Sequence, residues 1–343
     1  MTRVLTGIAL LLAGCKNDQQ FSVRTQNDVF YQEPSAEVDI LWVIDNSVSM
    51  EGEQTRVANG FESFIADIDE TNIDFHIGIV TTDMDLDNPT RGQLVGGRPY
   101  ITPEDNYTQM FQNRVQVGTD GSDKERGLQA AVDALTEPLA SGANYGFLRP
   151  EATLSVIFVS DENDCSDNNA LENENGQACY SQEYRDYLIP TKDVIDALKT
   201  LKDPGVRVLA SAIVGPPASE ACADSWPGAR YRAVAEGTGG IVGNICDSDY
   251  SHIMGNLGLS VSGVLNTFQL TCAAVQDTIS VVVDEDEIPG DPSIGWTYDS
   301  AYWMIRFDGS YLPPRGSTIS VEYEVVSGTC GGSPIEDSGG ATE

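Results

Sequence analysis

Histidine is nearly missing from this chain: only His76 and His252 occur in 343 residues. That excludes a histidine-rich metal centre or a relay of imidazole bases as its organising feature. Basic residues are also scarce, with 19 Lys and Arg against 53 Asp and Glu and a formal charge of −34. Nucleic acid and anionic membrane surfaces both reward a basic footprint, so no nucleic-acid partner is expected, and most of the charge solvates the surface. No segment beyond the N-terminus approaches the roughly 20 apolar residues of a spanning helix. Nor do any two cysteines have metal-knuckle spacing. What remains, 41% hydrophobic residues, allows one large domain and a small companion.

The N-terminus reads as an export signal. Arg3 supplies the positive end, residues 8–12 the apolar centre, and Leu12, Ala13, Gly14 and Cys15 the cleavage region. That tetrapeptide resembles a bacterial lipobox. The resemblance implies a lipoprotein signal peptide over residues 1–14 and lipidation (palmitate) of Cys15, with residues 15–36 a polar tether. The expected location is exported and lipid-anchored to the bacterial cell envelope, at the outer membrane or cell surface.

Setting Cys15 aside leaves six cysteines, an even number that suits three disulfides in an exported protein. Six allow fifteen pairings. Sequential pairing is the expectation: Cys165 with Cys179, Cys222 with Cys246, and Cys272 with Cys330.

One stretch organises the rest. Val38, Ile40, Leu41, Trp42, Val43 and Ile44 form an apolar run of strand length that ends in Asp45, followed by Ser47 and Ser49. Such a run suits a strand buried on both faces of a parallel sheet, with the polar triplet at its carboxyl end, where open α/β sheets bind ligands. Val57, Phe61, Phe64, Ile65 and Ile68 then repeat at helical spacing. Strand and helix patterns continue to alternate as far as residue 268, predicting a doubly wound, mostly parallel sheet flanked by helices. One carboxylate and two hydroxyls on a loop offer hard oxygen ligands for a hard divalent cation.

Asp45-x-Ser47-x-Ser49, with a strand before it and a helix after, resembles the metal-ion-dependent adhesion site (MIDAS) of the von Willebrand factor type A (vWA) domain. The resemblance covers residues 37–268. It implies a Rossmann-like fold and a bound Mg²⁺, or Mn²⁺ or Ca²⁺. Ser47 and Ser49 would ligate directly, and Asp45 and Asp161 through water. A second loop, residues 118–128, would add a hydroxyl: a gapless match falls on Ser122, whereas residue type favours Thr119. Asp161 ends another apolar strand, and Glu162 and Asp164 beside it either contribute or are solvated.

Other features are plainer. His76 lies inside a strand, where a structural imidazole is expected. Residues 83–88 imitate a calcium loop but lack its Gly and its Glu, Leu94 standing at the twelfth place. Ile253, Leu257, Val261, Leu265 and Phe268 read as a closing amphipathic helix. After residue 268 the texture becomes strand and turn, predicting a small antiparallel β module over residues 269–330 and a disordered tail over 331–343. Trp296, Tyr298, Tyr302 and Trp303 suit its core or a binding surface.

The functional expectation is metal-dependent cell adhesion or protein binding, a partner's Asp or Glu completing the cation's coordination. The alternative is a structural or assembly component of the envelope whose metal only stabilises the fold. Catalysis is not expected, because Ser47 has no recognisable base beside it in sequence.

Overall fold

The computed structural model describes residues 24–32, 37–71, 73–217, 222, 225–263, 266–307, 311–314 and 316–330. The signal peptide, Cys15, Leu265 and the expected tail lie outside the described residues. After a first strand β1 (Thr25–Tyr31) come β2 (Glu37–Ile44), α1 (Glu51–Glu70) and β3 (Asp74–Thr81). Helices α2 (Tyr107–Arg114) and α3 (Gly127–Leu135) follow, then β4 (Thr153–Ser160), α4 (Thr191–Thr200) and β5 (Val208–Val214). Helix α5 (Ala229–Thr238), β6 (Val242–Asn244) and α6 (Ser251–Val261) complete the series.

Strands β2 to β6 form a five-stranded parallel sheet in the order β3-β2-β4-β5-β6. The chain leaves β2 toward β3 on one side and returns to β4 on the other, so the order reverses between β2 and β4. The crevice at the carboxyl ends of those two strands is where this topology leaves room for a ligand.

The apolar run of β2 is buried on both faces. Val38, Ile40, Trp42 and Ile44 join the core beneath α1, α2 and α6, while Leu41 and Val43 join the core beneath α3, α4 and α5. Trp42 meets Phe64 and Phe111 edge-on, each at 5.2 Å between ring centroids. The helical face read from residues 57–68 is buried as a whole.

The last expected helix is shorter than its pattern. Helix α6 ends at Val261, Gly263 turns the backbone left-handed at φ 99°, and Phe268 lies instead in a strand, β7 (Thr267–Gln269). A side chain would strain that turn, and glycine does not. Phe268 packs between Phe30 and Phe307 in the core of the smaller part.

That part holds β8 (Ser280–Val283), β9 (Asp286–Ile288), β10 (Thr297–Asp299), β11 (Met304–Arg306) and β12 (Thr318–Glu324). Two antiparallel sheets result, β1-β12-β8-β9 and β10-β11-β7. Trp296 is buried among Val281, Ile305 and Ile319, with Tyr298 and Trp303 packed against them. Strand β1 departs from the expected tether, pairing along its whole length with β12. Its inward residue is Asp28, which accepts hydrogen bonds from the Thr271 amide and the Tyr323 hydroxyl, so no apolar period marks it.

All three disulfides are present, as Cys165–Cys179, Cys222–Cys246 and Cys272–Cys330. Among the described residues, no helix is long and apolar enough to cross a membrane.

Candidate metal centre

The carboxyl ends of β2 and β4 bring Asp45 and Asp161 together because the two strands run in register. Ile44 faces Val159, and the Asp45 amide donates to the Val159 carbonyl at 3.0 Å. Asp45 is fully buried. Its Oδ1 accepts the Ser47 amide at 2.8 Å, which curls the loop back over it, and its Oδ2 accepts the Ser160 hydroxyl at 2.6 Å. The Ser47 and Ser49 hydroxyl oxygens lie 3.4 Å apart. Ser47 is buried, whereas Ser49 opens to solvent beside Val48, which is 86% exposed.

Asp161 is 4% exposed, accepts a hydrogen bond from Ser49, and leaves Oδ1 with no partner. Burial, followed by the charge of Asp45, pushes its carboxyl up to about 7. Asp45 is raised as well, chiefly by burial, against the opposing pull of Ser160 and Ser47. Two desolvated carboxylates with an unpaired oxygen and two nearby hydroxyls suit a divalent cation, which would offset both burial and repulsion. Among the described residues, no three His, Cys, Asp or Glu side chains form a ready-made metal cage. A set of carboxylates and serine hydroxyls is a different donor chemistry, and Asp45, Ser47, Ser49 and Asp161 fit that one.

The second loop reaches the first by backbone. The Gly121 amide donates to the Asn46 carbonyl at 2.8 Å, and Gln54 Nε2 bridges the Asp45 and Gly118 carbonyls at 3.0 and 2.8 Å. The approach is close enough that a Cβ on Gly121 would stand 2.5 Å from the Asn46 side chain. Ser122 Oγ accepts the Lys124 amide at 3.1 Å, closing a local turn, and Thr119 is half-buried. Among the described residues, neither hydroxyl is hydrogen-bonded to Asp45, Ser47, Ser49 or Asp161.

No protein-family model and no curated protein matches this chain. Among solved structures it is similar to proximal thread matrix protein 1 from the mussel byssus, at 14% identity and a TM-score of 0.36. The match covers 71% of this chain and 51% of that one, so the chain spans about half the length of that protein. A likeness of that degree bears on neither family nor function.

Several residues at the site, Glu162 apart, carried no sequence signal. Ser160 holds Asp45 only because β4 pairs with β2. Glu162 accepts the Tyr180 hydroxyl at 2.9 Å, and Tyr180 in turn packs on Trp226, 5.0 Å between centroids. Trp226 is 52% exposed, and its amide donates to the Asp161 carbonyl at 2.7 Å, placing an open aromatic at the rim. Glu125 is 2% exposed and lies within the fields of Asp45 and Glu162.

Other acids are committed elsewhere. Asp164 is buried, accepting the Leu128 amide at 2.9 Å at the start of α3 and pairing with Arg230 at 3.0 Å, which makes it structural. Asp85, in the calcium-like stretch, pairs with buried Arg126 at 2.5 Å. His76 bonds the Phe147 carbonyl through Nδ1 at 2.9 Å and stacks on Tyr100. The polar cavity of about 550 Å³ bordered by Asn244, His252 and Arg306 includes none of these site residues.

Proposed function

We propose that this chain is a vWA-type domain of an exported, lipid-anchored bacterial envelope protein that binds a partner protein through a divalent cation. The reading rests most on one observation, the unpaired, buried Asp161 oxygen beside Asp45 and the exposed Ser49. Ser47 and Ser49 would hold Mg²⁺, or Mn²⁺ or Ca²⁺, with Asp45 and Asp161 as the charged support. The cation supplies an electrophilic point to which a partner's Asp or Glu carboxylate can attach. The residues of this chain do the rest. Ser160 and the Ser47 amide fix Asp45, the Gly121 and Gln54 bonds hold the second loop against the first, and Val48 and Trp226 give the open rim apolar surface. A site with one exposed hydroxyl edge and buried acids suits attachment of a ligand from outside.

Recovery of partner proteins on the immobilised chain tests the proposal. Capture in Mg²⁺, loss in EDTA and loss on Asp45→Ala are expected, and capture that ignores the metal would refute it. The burial of Asp45 and Asp161 also favours a second reading, in which the cation only stabilises the fold. In that case Asp45→Ala abolishes the metal-dependent rise in melting temperature and leaves partner capture unchanged.

A further inference from the structure

The two edges of the five-stranded sheet are finished differently. At β3, Ile77 and Ile101 exchange amide-to-carbonyl bonds at 2.9 and 2.8 Å, and the Val95 amide donates to the Ile79 carbonyl at 2.7 Å, so that edge is covered. At the other edge stands β6, which pairs with β5 alone. The Ala212 amide donates to the Ile241 carbonyl at 2.9 Å, and the Ile245 amide donates to the Val214 carbonyl at 3.1 Å. Backbone groups of successive residues in a strand point to alternate sides. With residues 241, 243 and 245 bonded toward β5, Val242 and Asn244 turn their backbone groups outward. The Asn244 carbonyl is taken by the Asp247 amide at 3.2 Å. The Val242 amide and carbonyl and the Asn244 amide have no protein partner among the described residues.

Those groups border the polar cavity of about 550 Å³, which Val242 and Asn244 both line. Helix α5 supplies Arg232 and Glu236 to it, and α6 supplies His252 and Asn256. The cavity is therefore a slot along the sheet edge with one helix from each face of the sheet beside it. A Cβ on Gly243 would stand 2.6 Å from the Ile253 side chain, so α6 packs directly on β6 and leaves its edge, not its face, as the open part. Charges within the slot are matched internally: Arg232 with Glu236 at 3.6 Å, and Arg306 with Asp299 at 3.4 Å. Asp247, exposed just beyond the strand, lines the slot and has no ion pair among the described residues.

We infer that this slot receives an extended segment of a partner protein, which joins β6 as a further strand of the sheet and sets a Lys or Arg against Asp247. Unpaired N–H and C=O groups along a strand edge are what the backbone of another strand matches. At about 3.3 Å per residue, β6 offers roughly 10 Å of edge, enough to seat a short run of extended chain. The acid left unpaired, in a chain of formal charge −34, favours a basic segment over an acidic one. None of Asp45, Ser47, Ser49 and Asp161 lines the slot, so this docking needs no cation and stands apart from the metal centre.

Selection of short random peptides from a display library on the full chain in EDTA tests the inference, the most enriched peptide then being synthesised and titrated by fluorescence anisotropy. The expected peptide carries Lys or Arg, binds with saturation, and binds equally with Mg²⁺ added. Val242→Pro removes an edge donor that β5 does not use and should weaken binding about tenfold. Asp247→Lys should weaken it about threefold or more. N-methylation of the peptide's backbone amides one at a time should cost about tenfold at alternate positions, and this scan decides the matter should Val242→Pro not fold. Failure to enrich any peptide overturns the inference, as does an enriched peptide that shows no alternating pattern and ignores Val242→Pro. A concentration-dependent dimer in sedimentation that Val242→Pro abolishes assigns the edge to a second copy of this chain and overturns it too.

Discussion

In EDTA, the protein should lose stability as pH rises through neutrality, and Asp161 should account for a measurable share. Its carboxyl titrates near 7 in the folded chain against 3.8 for the free group, raised by burial first and by Asp45 second. The folded state therefore binds a proton that the unfolded state has already released between these values. Stability attributable to Asp161 is greatest below about pH 4 and is lost as pH rises to about 7, the sign opposite to that of a salt-bridged aspartate. The difference corresponds to about 4 kcal/mol, of which about 2.5 kcal/mol falls between pH 5 and pH 8. Self-repulsion from the net charge of −34 slopes the same way, so the quantity to measure is the difference between wild type and Asp161→Asn. Urea unfolding in EDTA at pH 5 and pH 8 provides it. The variant should be the more stable at both, by a margin wider at pH 8 by about 2.5 kcal/mol, and Mg²⁺ should remove that widening. A margin that is flat or narrows toward pH 8 would refute the account of Asp161 as a desolvated, unpaired carboxylate.

Two further outcomes follow from packing. Trp42→Ala empties a site enclosed by Phe64 and Phe111 at the centre of the sheet and should cost about 3–5 kcal/mol, read as a shift of the denaturation midpoint. Gly121→Ala places a methyl against Asn46, which should cost about 1–3 kcal/mol and separate the two loops. Calorimetry should then show weaker cation binding, and unchanged binding would mean that the second loop does not contribute.

The sequence by itself determined the alternating strand and helix order, because the double-sided burial of β2 demands an apolar run that nothing polar can imitate. It also located Asp45, Ser47, Ser49 and Asp161 at strand ends, since a polar residue that stops such a run must sit where the sheet stops. Tertiary structure alone decided which groups face them. Ser160 reaches Asp45 through the register of two strands more than a hundred residues apart in sequence. Lys124 and Arg126, buried on either side of Glu125, are claimed by the segment beyond Cys165, and no local pattern encodes that division of partners. Strand β1 carries no apolar period for a related reason: its inward residue is Asp28, held by hydrogen bonds from Thr271 and Tyr323. Periodicity reports burial only when the buried group is apolar. The polar and charged contacts that shape this centre are long-range and satisfied pair by pair, so they become visible only when the chain is folded.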